Sequence, residues 1–182
     1  MRWAIFISGT GSNLSALLEE RPLLDINLVL SSKPKAYGLL RAKRAGIPTS
    51  ILPTSIQWNA VHEQLLQHRI EAIFLLGFMK VLPDEFIAHW KGKILNLHPS
   101  LLPFYPGLHS IERAWQEKQK LGATVHQVIA EVDQGEIILQ RKVPIPVEKH
   151  YPLSQYELWV HIHEQKLIRE AIKKWQLKNK KL

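Results

Sequence analysis

The stretch ILNLHPS, residues 94–100, joins an apolar run to polar residues that carry chemistry. Its apolar residues predict a buried strand, and Pro99 disfavours helical geometry at His98, so the chain is expected to stay extended there. Side chains two residues apart on an extended chain point the same way, so Asn96 and His98 are expected on one side. An amide can donate to a developing oxyanion, and an imidazole can move a proton near neutral pH. The stretch therefore predicts a buried strand that ends in a polar pair suited to carbonyl chemistry.

Short apolar runs of this kind alternate along the chain with longer segments that have helical spacing. Strands that alternate with helices predict an α/β fold, a mostly parallel twisted sheet with right-handed crossovers and helices on both faces. The alternating pattern after residue 122 predicts antiparallel strands toward the C-terminal half. The predicted strands are Trp3–Ile7, Ile26–Leu30, Thr49–Leu52, Ala72–Leu76, Ile94–Leu97, Ala123–Ala130 and Glu136–Ile145; the predicted helices are Leu14–Glu20, Gly38–Ala45, Ile56–His68, Pro83–His89 and a long helix from Ser154 with an apolar stripe of Leu158, Ile162, Ile168, Ile172 and Trp175.

Length and composition predict one domain over residues 1–182, because 182 residues with 46% hydrophobic content fill one core and are few for two. There is no cysteine, which excludes disulfides and thiolate metal sites. The first residues lack the long apolar segment of a signal peptide, and no run approaches eighteen apolar residues. We therefore expect a soluble cytoplasmic protein.

The formal net charge of +8 invites a nucleic-acid interpretation, but the charge is concentrated at one end. From Gln165 onward seven Lys or Arg residues face one acid, Glu170, so this tail holds +6 and leaves +2 for the rest. Lysines at the end of a helix are solvated and complement the helix dipole. A solvated helix end is favoured over a contact with nucleic acid.

The loop SGTGSN, residues 8–13, leaves a predicted strand and enters a predicted helix. Free backbone amides and the helix dipole suit an anion at such a position, although the residues alone slightly favour an ordinary tight turn with Ser12 as helix cap. Leu14 stands where the dinucleotide motif GxGxxG needs its third glycine, so a dinucleotide is disfavoured. A monophosphate is the better prediction for this loop.

Several spaced motifs together resemble the folate-dependent formyltransferases in order and spacing. The resemblance is nearest to the members that formylate glycinamide ribonucleotide in purine biosynthesis, and it implies a Rossmann-like formyltransferase fold. It covers most of residues 1–146. The motifs are SGTGSN at 8–13, SSKPKAYGLLRAKRAGI at 31–47, GFMKVLP at 77–83, NLHPSLLP at 96–103, YPGLH at 105–109, GATVHQV at 122–128 and VDQGEIILQ at 132–140.

The resemblance implies transfer of a formyl group from 10-formyltetrahydrofolate, a co-substrate, to the amino group of glycinamide ribonucleotide by direct attack of the amine. It assigns Asn96, His98 and Asp133 as the catalytic residues. It further implies that Glu164 binds the substrate ribose. The substrate phosphate is assigned to Gly11, Ser12 and Asn13, and the folate to Met79, Lys80, Val81, Leu82, Ile94 and Val128.

The chain departs from the pattern of this family at Lys80, at His161 and after Glu164, where the family usually continues with His and an aromatic-Pro step and this chain has Gln165-Lys166-Leu167. Lys80 stands where the family often has arginine, and His161 stands where some relatives have glutamine. From the residues alone, Glu164 fits a solvated charge paired with a neighbour such as Lys166 or Arg169, and the residues give no reason to prefer another role. The affected predictions are contact with the acidic folate tail and contact with the ribose.

The remaining histidines receive weaker predictions. His126 is expected to pack behind the active site, and His109 to lie in a loop that the family uses to cover its pocket. HEQLL at 62–66 and HEQKL at 163–167 begin like zinc-binding HExxH motifs but lack the second histidine, so no metal is expected.

Alternative functions remain open on the sequence. Another formyltransferase or a deformylase that uses 10-formyltetrahydrofolate would share the NLHPSLLP region. A noncatalytic phosphoribosyl-binding or folate-binding protein would retain the binding motifs without turnover. The protein is expected to be a monomer or a homodimer, with small-molecule substrates and neither nucleic acid nor membrane as partner.

Overall fold

A computed structural model describes residues 1–19, 24–144 and 151–179. Its strands are β1 (Arg2–Ile7), β2 (Asp25–Ser31), β3 (Thr49–Ile51), β4 (Ala72–Leu75), β5 (Ile94–His98), β6 (Gly122–Gln127) and β7 (Ile137–Lys142). Its helices are α1 (Ser12–Glu19), α2 (Tyr37–Arg44), α3 (Trp58–Gln67), α4 (Asp84–His89), α5 (Ser110–Gln116) and α6 (Leu153–Asn179).

The strands form a seven-stranded sheet in the order β3-β2-β1-β4-β5-β6-β7. The strands from β1 to β5 pair in parallel, whereas β6 is antiparallel to β5 and to β7. The predicted fold class is therefore confirmed, including the antiparallel strands toward the C-terminal half. The predicted ends Glu20 and Ile145 lie outside the described residues.

The central strand β1 shows why both faces of the sheet are covered. Trp3 and Ile5 are fully buried in one apolar layer together with residues of α1, α2 and α6. Ala4 and Phe6, which alternate with them, are fully buried in the other layer with residues of α3 and α4. A parallel strand covered on both faces reads as a continuous apolar run, as this one does. Burying a side chain of Phe size contributes roughly 1.5–3 kcal/mol, so these two layers fix the sheet.

The predicted apolar stripe of α6 is wrong in its first turns. Leu158 and Ile162 are 51% and 45% exposed, whereas Tyr156 and Val160 are buried. At 100° per residue, Ile162 lies about 120° around the helix from buried Ile168, so an apolar side chain there faces away from the sheet. The core-facing stripe instead steps back in threes and fours from residue 168, which places residue 164 in the protein interior.

The connections that carry the predicted motifs follow β1, β4 and β5. Ligands of open parallel sheets bind beyond the carboxyl ends of the strands. The fold thus brings the loops 8–13, 76–83 and 99–109 to one edge of the sheet. Among the described residues, none of the helices combines the length and apolar character needed to cross a membrane.

Candidate active site

Asn96 and His98 lie on the last residues of β5, on the same side of the strand. Leu95 and Leu97, which alternate with them, belong to the apolar layer that contains α6. His98 is only 5% exposed, because the strand carries it into the protein before the loop begins. The alternation predicted from the sequence is confirmed.

Asp133 reaches this pair from the connection between β6 and β7. It adopts a left-handed backbone conformation with φ of +57°, which Asp and Asn tolerate better than most residues. Gly135 follows because a Cβ at that position would lie 1.8 Å from the carbonyl oxygen of Gln127. The left-handed turn is therefore made by Asp133 itself, and Gly135 permits close approach of the neighbouring strand.

The structure brings together all three predicted catalytic residues. His98 Nδ1 lies 3.3 Å from Asp133 Oδ2. Asn96 Nδ2 donates to Asp133 Oδ1 over 3.4 Å. The Asp133 side chain is 8% exposed, so the carboxylate joins the amide and the imidazole in a largely water-excluded position.

His126 is a fourth member of this cluster. The antiparallel register pairs Asn96 with His126, and Asn96 Nδ2 lies 3.1 Å from His126 Nε2. His126 Nδ1 lies 2.8 Å from the carbonyl oxygen of Gln127, which can only accept, so Nδ1 carries the proton. His126 Nε2 is also 3.4 Å from Asp133 Oδ1. The sequence placed His126 behind the active site, but its contact with Asn96 required the strand register.

The electrostatics of His98 and Asp133 favour a neutral imidazole beside a carboxylate. Burial lowers the pKa of His98, outweighing the hydrogen bond to Tyr105 and the charge of Asp133, which raise it. For Asp133 burial raises the pKa, but the contact with His126, the hydrogen bond from the Gly107 amide and the nearby His98 bring that pKa below its ordinary value. The carboxylate therefore keeps its charge while the imidazole stays poised to take a proton.

The loop segment 105–107 contacts both members of that pair. His98 Nε2 donates to the carbonyl oxygen of Tyr105 over 2.8 Å, and the Gly107 amide donates to Asp133 Oδ2 over 2.7 Å. Neither the Tyr105 carbonyl nor the Asp133 carboxylate can donate, so neutral His98 can donate to only one of them. The shorter contact, 2.8 Å against 3.3 Å, places the proton on Nε2 and leaves the bare Nδ1 facing the carboxylate. A proton that arrives at Nδ1 is stabilised at once by Asp133. The geometry therefore suits His98 for transient protonation.

A second polar cluster joins the loop 8–13 to α6. The Asn13 side chain donates to Glu164 Oε2 over 2.9 Å, and His161 Nδ1 lies 2.8 Å from the same oxygen. Glu164 is 3% exposed, so the alternative of a solvated Glu164 is wrong. The hydrogen bond to Glu164 raises the pKa of His161. A buried carboxylate held between a helix N-terminus and an imidazole is suited to accept hydroxyl groups of a ligand.

The residues predicted for folate fall into two groups. Leu82 and Ile94 are buried in one apolar cluster with the partly buried Val128 against it. Met79 and Val81 are 59% and 77% exposed. Lys80 is likewise exposed. The first group belongs to the apolar core beneath the predicted folate site. The side chains of the second group are exposed at the surface, where a ligand can reach them.

Two further contacts bear on the folate region and its loop. Ser8 Oγ accepts a hydrogen bond from the Met79 amide over 2.8 Å, which ties the segment predicted to bind folate to the end of β1. His109, at the end of the loop 99–109, is exposed, and its Nδ1 lies 3.3 Å from Glu112 Oε2. The described residues contain no group of three side chains placed to ligate a metal ion.

Known proteins resemble this chain over most of its length. The family profile described as formyl transferase matches residues 1–172. Phosphoribosylglycinamide formyltransferase of Escherichia coli is 38% identical over 156 residues, which cover 80% of this chain and 74% of that protein. The trifunctional purine biosynthetic protein adenosine-3 of Homo sapiens is 41% identical over 155 residues, or 79% of this chain. The match covers only 15% of that longer protein.

A solved structure supports the same relationship. The crystal structure of phosphoribosylglycinamide formyltransferase from Brucella melitensis superposes with a TM-score of 0.88 at 35% identity. The superposition covers 96% of this chain and 94% of that one. With the profile match and the sequence identities, it shows that this chain belongs to the formyl transferase family.

Proposed function

We propose that the protein transfers the formyl group of 10-formyltetrahydrofolate to the amino group of glycinamide ribonucleotide, a step of purine (IMP) biosynthesis. The observation that carries this proposal is the meeting of Asn96, His98 and Asp133 at the end of β5. Relatives named phosphoribosylglycinamide formyltransferase support the choice of acceptor. The proposal places both substrate sites in one domain, acting in the cytoplasm as a monomer or homodimer.

In the proposed reaction the substrate amine attacks the formyl carbon directly. A new carbon–nitrogen bond forms, the bond from the formyl carbon to N10 of the folate breaks, and one amine proton passes to that nitrogen. Asn96 and His98 would stabilise the oxyanion of the tetrahedral intermediate. The formyl oxygen would take the place of the Tyr105 carbonyl at His98 Nε2–H.

Asp133 would assist the proton transfer in this reaction. Its carboxylate faces His98 Nδ1, so it stabilises the imidazolium as the amine loses its proton, and water can complete the transfer to the leaving nitrogen. A general acid or base of this kind contributes roughly 10²–10⁴-fold to a rate. The formyl group passes to the amine without an acyl-enzyme, because the sequence indicates no Ser or Cys nucleophile.

The two substrates are assigned to separate groups of residues beside the catalytic cluster of Asn96, His98 and Asp133. Gly11, Ser12 and Asn13 would bind the phosphate at the start of α1, where free amides and the helix dipole favour an anion. Glu164 would accept the ribose hydroxyls. The folate would lie against Met79, Lys80, Val81, Leu82, Ile94 and Val128.

The test is an assay of tetrahydrofolate release. Purified protein should release tetrahydrofolate only when 10-formyltetrahydrofolate and glycinamide ribonucleotide are both present, with formylglycinamide ribonucleotide formed in equal amount. Reactions that lack each substrate in turn are the controls. Release without the amine would indicate a deformylase, and binding of both compounds without release would indicate a noncatalytic protein; either result contradicts the proposal.

A further inference from the structure

The loop 8–13 rests on the first turn of α2, a helix to which no role has been assigned. The Gly38 amide donates to the Gly9 carbonyl over 3.2 Å. Gly11 has φ of +70°, and a Cβ there would lie 2.6 Å from Gly38 Cα. The two backbones therefore touch, and α2 determines the shape that the loop can adopt.

Arg41, one turn along α2, holds the same loop with its side chain. Its Nε donates to the Thr10 carbonyl over 3.0 Å, and its Nη1 donates to Ser15 Oγ over 2.7 Å. The guanidinium also lies 4.9 Å from the centre of the Tyr37 ring. Two directed hydrogen bonds and one ring contact fix a planar group that offers its donors in a rigid fork.

The bond to Thr10 has a consequence for the amide that follows it. In a trans peptide the carbonyl and the next N–H point in opposite directions. The peptide between Thr10 and Gly11 is trans, because the cis bond of the described chain lies elsewhere. Holding the Thr10 carbonyl toward Arg41 thus turns the Gly11 amide away from α2. That amide belongs to the segment assigned to the substrate phosphate.

The loop itself supplies no positive charge, since residues 8–13 are uncharged. Phosphate held by backbone amides depends on the direction of those amides, and a nearby cation strengthens the hold. Arg41 provides both the direction and the cation. Lysine, a point charge on a flexible stem, cannot reproduce two hydrogen bonds of fixed geometry.

We propose that Arg41 is a positioning residue for the phosphate site and sets the preference of this protein for a phosphorylated acceptor. The proposal rests on the proposed function, because the acceptor is taken to be a ribonucleotide. It predicts that Arg41 affects binding of the substrate's phosphate group and has no effect on binding of the rest of the substrate.

The experiment compares two acceptors by titration calorimetry, so it needs no turnover. The ligands are glycinamide ribonucleotide and its phosphate-free riboside. Arg41→Gln and Arg41→Lys should weaken ribonucleotide binding about ten-fold, the expected loss when the hydrogen bond from the Gly11 amide to the charged phosphate is lost. Riboside binding should change less than about two-fold. Arg44→Gln, an exposed position at the end of the same helix, should match the wild type for both ligands.

Equal weakening of both ligands, or unchanged ribonucleotide affinity in Arg41→Gln, would overturn the proposal. Full affinity in Arg41→Lys would reduce Arg41 to a point charge and overturn its positioning role. Thermal unfolding of each variant checks that the fold is kept, and the conservative lysine variant serves if the glutamine variant unfolds. Wild-type protein that binds the ribonucleotide but releases no tetrahydrofolate would contradict the proposed function and leave this inference standing.

Discussion

Two histidine–carboxylate pairs in this molecule have opposite electrostatics. In the pair of His98 and Asp133, both side chains are buried, at 6% and 8% exposure. In the pair of His161 and Glu164, the histidine is 50% exposed and only the carboxylate is buried, at 3%. The pKa of His98 is lowered by burial, and the pKa of His161 is raised by the hydrogen bond to Glu164.

The difference shows that a carboxylate neighbour alone does not decide the charge of a histidine. Where the imidazole itself is removed from water, the cost of burying its cation outweighs the attraction of Asp133. Where the imidazole keeps contact with water, the buried partner stabilises its cation. The first arrangement suits a group that takes and returns a proton during a reaction, and the second suits a standing charge that orients a ligand.

The first prediction tests the catalytic pair and has the largest expected effect. Asp133→Asn should lower the rate of formyl transfer about 1000-fold, because the imidazolium of His98 loses its counter-charge. Asparagine tolerates the left-handed φ of +57° at this position, so the backbone should keep its course. Single-turnover kinetics measures the rate, and ribonucleotide affinity should remain within about two-fold.

Glu131→Gln is the matched control for Asp133→Asn. Glu131 is an exposed acid in the same connection, so its loss removes a negative charge without touching His98. It should leave the rate unchanged. Wild-type turnover in Asp133→Asn would remove Asp133 from the mechanism and end the contrast between the two pairs.

The second prediction tests the binding pair. Glu164→Gln should raise KM for the ribonucleotide about ten-fold, because the charged acceptor shared by Asn13 and His161 becomes neutral. The rate at saturating substrate and the affinity for the formyl donor should change less than about three-fold. Steady-state kinetics with each substrate varied in turn separates these quantities.

Glu170→Gln, which changes an exposed acid on the same helix that pairs with Arg141, is the control and should retain the wild-type KM. A large fall in the rate at saturating substrate with unchanged KM would place Glu164 in catalysis. The two pairs would then share one role, and the contrast drawn from their burial would be lost.

The sequence predicted what depends on local pattern and on family resemblance. Alternation along residues 94–98 placed Asn96 and His98 on one side of β5, and the structure confirms it. The contact of His98 with Asp133 could not come from spacing, since Asp133 lies thirty-five residues after His98, beyond helix α5 and strand β6. That contact was predicted only from the resemblance, because members of the family share a fold that brings these residues together.

The parts that sequence analysis missed depend on pairing between distant elements. His126 lies beside Asn96 because of the register between β5 and β6, and no local signal fixes a register. From the residues alone Glu164 fits a solvated charge and Ile162 belongs to the apolar stripe, but in the packed helix α6 the acid is buried and Ile162 is exposed. The partners of a buried charge come from other elements of the fold, which the periodicity of one helix does not reveal. Periodicity alone therefore assigns a charged residue to the surface.

The third prediction concerns pH and has the smallest expected effect. The pKa of His161 is raised above its ordinary value of 6.5, so its cation is complete below that pH and is lost as pH rises through the raised value. The charges that act on it are Glu164 and Glu157, both on α6, and Asn13 of α1, which donates to the same Glu164 oxygen, is uncharged. KM for the ribonucleotide should therefore rise about two- to three-fold as pH increases through this range.

His161→Gln isolates this effect, because the phosphate of the substrate also titrates near pH 6 and does so equally in both proteins. The ratio of variant KM to wild-type KM should be greatest at low pH and approach one at high pH. His163→Gln, two residues along the helix, should follow the wild type throughout. The same cation stabilises the fold below pH 6.5 by less than roughly 1 kcal/mol, since His161 is half exposed, and this contribution also disappears as pH rises. A ratio that stays constant with pH would show that His161 binds as a neutral group, and the two histidine–carboxylate pairs would no longer differ in charge.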